Sequence, residues 1–504
     1  MKKKILIILL ITCILFSVSA VSASDFNNTS VSADADNLAV GSDIDNVKVN
    51  SEDANLPLSD VNESNTNEDD GTFTALQLKI ITASDGSEIN LTKDYKYNDD
   101  FKLTSGVFIN KDITINGNGH TIDGMGKSRI FNINYGSLIK QHQVTLNNIT
   151  FKNGKANIYG GAILNFADLR VDNCYFTNNN AGTAGGAINS IGALTLKNSK
   201  FNNNSAGGDA GAVFSLTLKK GYDFYRAYFA GQNATEDPNL LLTIAMQALT
   251  EDGKDIIYNC VFTNNVANGR GGGAVYAYSH IDIDSCTFTS NKAGEKGGAV
   301  FGCKDLFIEN SKFNKNKVSM YGGAVYFKCH EQSGHYENGT WVSSTKYYTN
   351  LIQSSTFSNN VASERGGAIY GFRTSSSDTV HCAKAVTCTF SDNKSPKGKD
   401  IYGGTVKNCV YKNTKITLKT VTVKKSAKKL TLQATLKKGS VALKSKQVTF
   451  KFNGKTYKAK TNSKGIAKVT IKQSVLKKLK VGKTITYLAK YSSFSAKKTA
   501  KVKK

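Results

Sequence analysis

The sequence predicts an all-β chain: a parallel β-helix, a solenoid of short strands, followed by a small β-sandwich. Three observations predict it. A motif recurs with a 25-residue period, from Phe151 to Phe176 to Phe201 and again from Phe288 to Phe313. Apolar residues inside each repeat alternate with polar ones. Glycine is plentiful, at 44, and proline scarce, at 3, in 504 residues. Each proline in a sheet would remove a ladder donor.

The repeat reads Phe-x-x-Asn, a short spacer, then Gly-Gly-Ala-Ile/Val. Phe176 and Asn179 precede Gly185-Gly186-Ala187-Ile188, and Phe288 and Asn291 precede Gly297-Gly298-Ala299-Val300. A period of this length marks a solenoid. Helical repeats would place apolar residues three and four apart. Here Leu169 and Val171 alternate with Arg170 and Asp172, which is the period of a strand. The phenylalanines Phe151, Phe176, Phe201, Phe262, Phe288, Phe313, Phe357 and Phe390 are expected to stack as an interior ladder.

Two further columns accompany them. Three residues before each Phe stands a turn position, mostly Asn (Asn148, Asn173, Asn198), a residue that tolerates left-handed backbone. Two residues before each Phe, Cys174, Cys260, Cys286, Cys388 and Cys409 interchange with Ser199, Ser311 and Ser355. That exchange is the behaviour of a small buried position. Cys260/Cys286 and Cys388/Cys409 are rung neighbours. Their parallel side-chain directions favour free thiols over disulfides.

Residues 71–413 form the coil, with residues 73–81 read as a capping helix. Removing 63 inserted residues leaves 280, or about eleven rungs and a rod about 50 Å long at the usual strand spacing. The insertions fall around 215–256, 328–350 and before Phe390. Insertions in solenoids tend to gather on the binding face. Their aromatic residues Tyr222, Tyr225, Tyr228, Trp341 and Tyr347 are therefore candidate ligand contacts.

Both ends differ from the coil. Residues 1–23 read as a signal peptide: Lys2, Lys3 and Lys4, an apolar run to Phe16, then small residues. This predicts a secreted or cell-surface protein with no transmembrane segment once the signal is removed. Residues 24–70 hold 12 acids against one Lys and read as a disordered linker. Residues 414–504 contain no Asp, Glu or Arg, and 28 Lys fall between 411 and 504. Alternation at Val448/Phe450/Phe452 and a hairpin signal at Asn453-Gly454 predict a β-sandwich there. The excess of Lys and Arg over acids, 65 to 39, comes largely from this domain. Its expected partner is an anionic polymer of the chain's own cell wall, a glycan or a neighbouring surface protein, held by charge. No nucleic-acid partner is expected, because the signal peptide and the lack of an aromatic-lined basic groove argue against one.

The repeat motif is similar to that of chlamydial polymorphic outer-membrane proteins. The whole arrangement resembles the adhesin-like surface proteins of methanogenic archaea. That resemblance implies a right-handed β-helix of the pectate-lyase type and a C-terminal immunoglobulin-like domain. Ile113 to Gly124 resembles the opening segment of such helices, and Tyr457 to Tyr491, with Asn462-Ser463-Lys464-Gly465, resembles a bacterial immunoglobulin-like repeat. The resemblance implies a non-enzymatic adhesin-like protein binding glycans or surface proteins of other cells.

The alternatives are a polysaccharide lyase or glycoside hydrolase on the same fold, and a structural envelope component. An enzyme needs paired carboxylates, or a calcium-binding acidic cluster, on one face of adjacent rungs. Asp282 and Asp284 share a strand face, with Asp172 two rungs away by the repeat count. Solvated strand faces account for these, so no catalytic residue is assigned. Cys329, His330 and His335, with Cys303 one rung off, match no strong zinc spacing, so no metal or cofactor is assigned.

Overall fold

The structure is a computed structural model. It describes residues 69–504 except 100, 102–103, 134–141, 218–253, 338–339, 373–383, 412–413, 439–440 and 492–493; within 331–344 and at 441 it describes the backbone only. The chain divides into two compact units. One runs to Cys388 and includes Asn393–Lys407; the other holds Thr389–Asp392 and Asn408–Lys504.

Alternating short strands with obligatory turns leave the first unit one economical way to bury its apolar residues, which is to coil. Each turn of the coil contributes a strand to a first, a second and a third sheet in order. The first sheet has eleven strands, from Ser87–Asn90 to Thr405–Lys407. The second also has eleven, starting at Tyr95–Lys96, and the third has ten, from Val107–Ile109 to Ile401–Tyr402. A fourth, seven-stranded sheet of two-residue strands lies at the bend between second and third. Pairing is parallel and in register one repeat apart, as in Phe176 against Phe151 and Phe201.

The columns do what their chemistry dictates. Phe176, Phe201, Phe262, Phe288 and Phe313 are fully buried, with neighbouring ring centroids 4.7–4.8 Å apart and planes within 7°. The turn residues Asn148, Asn173 and Asn198 are left-handed, at φ of 50–51°. After each bend a buried N–H needs an acceptor, and the Cys/Ser column supplies it from the next rung. Cys174 N–H donates to Ser199 Oγ at 3.0 Å and Cys260 N–H to Cys286 Sγ at 3.4 Å. Cys174, Cys260, Cys286, Cys388 and Cys409 are not disulfide-bonded.

The Asn of Phe-x-x-Asn forms a buried ladder beside the phenylalanines. Asn179 Nδ2 donates to Asn204 Oδ1 at 2.9 Å and to the carbonyl of Phe151 at 3.1 Å. The last rung, Asn393, donates instead to Asp400 Oδ1 at 3.0 Å.

The helix Phe73–Thr82 closes the coil's first end. Thr72 Oγ1 caps it by accepting from Ala75 N–H at 3.2 Å. Buried Gln77 donates to the carbonyl of Phe108 at 3.1 Å and accepts its N–H at 2.8 Å. One amide thereby satisfies the free edge of the third sheet, which would otherwise template pairing with another chain.

The C-terminal unit is a β-sandwich. One sheet has four strands, with Lys429–Lys438 paired to Thr414–Leu418, Val441–Ala442 and Ile466–Lys472. The other runs in the order Val423–Lys424, Phe494–Lys503, Thr484–Tyr491, Gln447–Phe452, Lys455–Lys460. This is an immunoglobulin-like strand order. Leu432, Phe450, Phe452 and Tyr487 are fully buried between the sheets. Tyr487 Oη accepts Val421 N–H at 3.2 Å and donates to the carbonyl of Lys419 at 3.3 Å. Asn453 and Gly454 turn the hairpin at φ of 44° and 71°.

Candidate ligand-binding face

A strand's alternation fixes which residues of the first sheet leave the coil. In Lys254–Tyr258, Asp255 and Ile257 point inward while Ile256 and Tyr258 point out. Register then builds two outward columns. Rungs before the large insertion expose Thr145, Arg170 and Thr195 beside Asn147, Asp172 and Lys197. Rungs after it turn outward Ile256, Asp282, Phe307 and Leu351 beside Tyr258, Asp284, Glu309 and Gln353, with Phe307 and Leu351 half-buried. The face changes from hydroxyl, amide and mixed charge to apolar and acidic. Ile256 is 40% and Tyr258 44% exposed.

The acids there are held in place. Lys254 Nζ lies 2.6 Å from Asp282. Asp284 Oδ1 accepts from Ser285 Oγ at 3.1 Å and Asn310 Nδ2 at 3.0 Å. Asp305, at the corner, is 2.9 Å from His280 Nδ1 and accepts Thr349 N–H at 2.5 Å. Glu309 stands one rung beyond Asp284 in the same column. Asp172 lies three rungs before Asp284, not two, because the rung at Tyr258 also intervenes: the 61-residue interval from Phe201 to Phe262 still advances the coil by one turn.

The connections from third to first sheet frame this patch. Two residues link Ala277 to His280 and three link Gly302 to Leu306, whereas residues 216–253, 329–349 and 373–383 make the links before Lys254, Asn350 and Lys384. The long connections therefore share one corner of the coil, and the acidic rungs carry the short ones.

A family model described as a right handed beta helix region matches residues 248–422. The coil is a right-handed parallel β-helix. No curated protein and no solved structure matches the chain. The matched stretch of the β-helix includes the apolar and acidic patch.

Of the insertion residues expected to contact ligand, Tyr222, Tyr225 and Tyr228 lie outside the described residues. Trp341 lies in the strand Thr340–Tyr347, which pairs antiparallel with His330–Glu337. Tyr347 is 44% exposed, with its ring 6.0 Å from that of His330. Cys329 is disulfide-bonded, so it offers no thiolate to a metal. Among the described residues, Asp85, Asp112 and His142 bring ligand atoms within 4.8 Å of one another. Their oxygens already bind the backbone: Asp85 accepts Asp112 N–H at 2.7 Å and Asp112 accepts Gln143 N–H at 2.8 Å.

Two features escaped sequence reasoning. The residue after each Gly-Gly-Ala-Ile/Val points out of the third sheet, and there Phe214, Tyr276, Phe301, Tyr326, Tyr370 and Tyr402 form a continuous column with centroids 4.5–5.4 Å apart. Arg365 lies over the rings of Tyr321 and Tyr402, at 5.8 and 5.3 Å. Five of the six rings are buried, so this column packs the flank. Extending the motif by one residue reveals it.

The second is Asp255, which occupies an interior column between Leu194 and Ile281. It accepts from Thr217 Oγ1 at 2.6 Å, from Leu194 N–H at 3.2 Å and from Ser215 Oγ. Burial pushes its carboxyl up to about 6. Burial also pushes Asp209 up to about 6, where it accepts Gly271 N–H at 3.0 Å. Both raised carboxyls are buried, and Asp255 points inward from the strand whose outer side carries Ile256 and Tyr258.

Proposed function

We propose that this chain is a non-enzymatic secreted or cell-surface adhesin-like protein that binds glycans on the outer face of its first sheet. The carrying observation is the patch of Ile256, Tyr258, Phe307 and Leu351 interleaved with Asp282, Asp284, Glu309 and Gln353. Exposed flat apolar surface packs against the hydrophobic faces of sugar rings, and carboxylates and amides accept hydrogen bonds from their hydroxyls. An apolar patch rimmed by polar groups is a mark of an interaction site. The rest of the β-helix serves as a stiff rod for display. The extracellular setting rests on the signal-peptide pattern of residues 1–23. Among the described residues no helix is long and apolar enough to cross a membrane.

One observation favours the rival reading of a carbohydrate-cleaving enzyme: Asp282, Asp284 and Glu309 occupy adjacent rungs. Against it, Asp282 is paired with Lys254 and Asp284 is committed to two donors. General acid catalysis calls for a carboxyl raised toward neutrality at the reacting face. Asp209 and Asp255, whose carboxyls burial raises, are enclosed and out of a substrate's reach. A structural envelope role predicts no ligand at all.

A glycan array probed with the intact chain separates the three, with bound spots analysed for cleavage. Binding without cleavage that falls by about tenfold or more in Tyr258→Ala/Phe307→Ala supports the proposal. Cleavage abolished by Glu309→Gln supports the enzyme. Absence of binding leaves the structural role.

A further inference from the structure

The C-terminal sandwich carries Lys on both outer faces, and the two faces differ in arrangement. On the four-stranded side, lysines oppose one another directly: Lys429 faces Lys472 and Lys415 faces Lys437. On the five-stranded side they are staggered. One row across the strands reads Lys458, Thr449, Lys490, Ser495; the next reads Thr456, Lys451, Leu488, Lys497. Lys451, Lys458, Lys490 and Lys497 are all exposed. Within each row two lysines are separated by one strand, about 10 Å, and the rows lie about 7 Å apart. Neighbouring lysines of the checkerboard are thus about a Debye length apart, and the outermost pair, Lys458 and Lys497, about 16 Å apart across three strand spacings.

The domain contains no Asp or Glu, so no acidic side chain of its own neutralises this face. Self-repulsion of that kind costs stability, and a polyanion lying across the face relieves it. Between the lysines stand Thr449, Thr456 and Ser495, hydroxyls able to bond to a polymer's carboxylates and hydroxyls. No aromatic ring is interleaved in these two rows, so the stacking platform used for single-stranded nucleic acid is missing.

We infer that the outer face of the five-stranded sheet binds an anionic glycan polymer, which the Lys451, Lys458, Lys490 and Lys497 checkerboard grips by charge while the intervening hydroxyls hydrogen-bond to it. This second binding surface rests on the extracellular reading above, but not on the patch of the β-helix.

The test uses the intact chain and immobilised polygalacturonate as the anionic probe, with neutral dextran and a DNA duplex as comparisons. The parent is expected to bind polygalacturonate with an affinity that falls steeply with added salt, and to ignore dextran. Replacing Lys451, Lys458, Lys490 and Lys497 together by Gln is expected to weaken binding about tenfold or more. Replacing Lys415, Lys429, Lys437 and Lys468 by Gln, on the other sheet, is expected to change it by less than about twofold. Thermal melting at or above the parent's value shows that each variant is folded, since both changes relieve repulsion. Equal losses from the two faces, equal binding to dextran, or tighter binding to DNA than to polygalacturonate at equal charge would each overturn the inference. Tyr258→Ala/Phe307→Ala should leave polygalacturonate binding intact, which keeps failure of the β-helix patch distinct from failure of this face.

Discussion

Asn265 Oδ1 accepts both the backbone N–H and the side-chain Nδ2 of Asn204, each at 3.0 Å, across 61 residues of sequence. Most of those residues form the largest insertion, yet the two asparagines sit in consecutive rungs. The ladder therefore continues through the insertion as though the chain had made an ordinary turn.

Asn265→Ala removes the acceptor for two buried donors of Asn204 and the donor to the carbonyl of Phe201. Unsatisfied buried groups are costly, so the variant should lose about 3 kcal/mol in a urea titration of the intact chain. A loss below about 1 kcal/mol would mean that water replaces the ladder at this rung.

Phe288 is fully buried, with Phe262 and Phe313 each 4.8 Å from it. Phe288→Ala should cost about 3–5 kcal/mol, because rigid neighbours above and below prevent the cavity from collapsing. Phe288→Leu should cost less. Equal costs would show that ring stacking contributes little beyond burial.

Ala210 holds a φ of 58° at a position where equivalent rungs have Gly185 at 68° and Gly272 at 68°. A side chain in left-handed backbone is strained, and Gly removes the strain while adding some entropy to the unfolded chain. Ala210→Gly should stabilise by about 0.5–1 kcal/mol, read as a higher melting temperature.

Asp255 titrates near 6 in the folded chain because burial disfavours its charge, against 3.8 for a free side chain. A folded value above the unfolded one contributes stability that is complete below the unfolded value. That contribution is lost as pH rises through the folded value. The wild type should lose about 2 kcal/mol from this group between pH 4 and 7. Asp255→Asn should narrow the difference between melts at those pH values, leaving the similar contribution of Asp209. An unchanged difference would place the pH dependence elsewhere.

Much of the coil was legible because a solenoid's contacts join equivalent positions one period apart. The Phe stack, the left-handed Asn turns and the Cys/Ser column are all read by aligning repeats. Asn453-Gly454 announced its hairpin for a local reason, since few residues accept two successive positive φ values. The apolar and acidic patch was harder. Ile256, Asp282, Phe307 and Leu351 share no motif; each is an outward position on which packing places no demand. The aromatic column from Phe214 to Tyr402 was visible in the text of the repeat, but its direction was not.

The sequence by itself determined that this chain coils, where each rung turns, which residues fill the interior and which domain carries the positive charge. Those are consequences of period, alternation and turn chemistry, all short-range properties. Only the tertiary structure decided which rungs meet across the insertions, that Asp255 falls in a column otherwise held by Leu194 and Ile281, and that Cys329 is bonded. It also decided that the lysines of one sandwich sheet are staggered while those of the other are opposed. Each of these depends on register between segments far apart in sequence. Register is set by closing the whole fold around its core, so no local window of residues contains it.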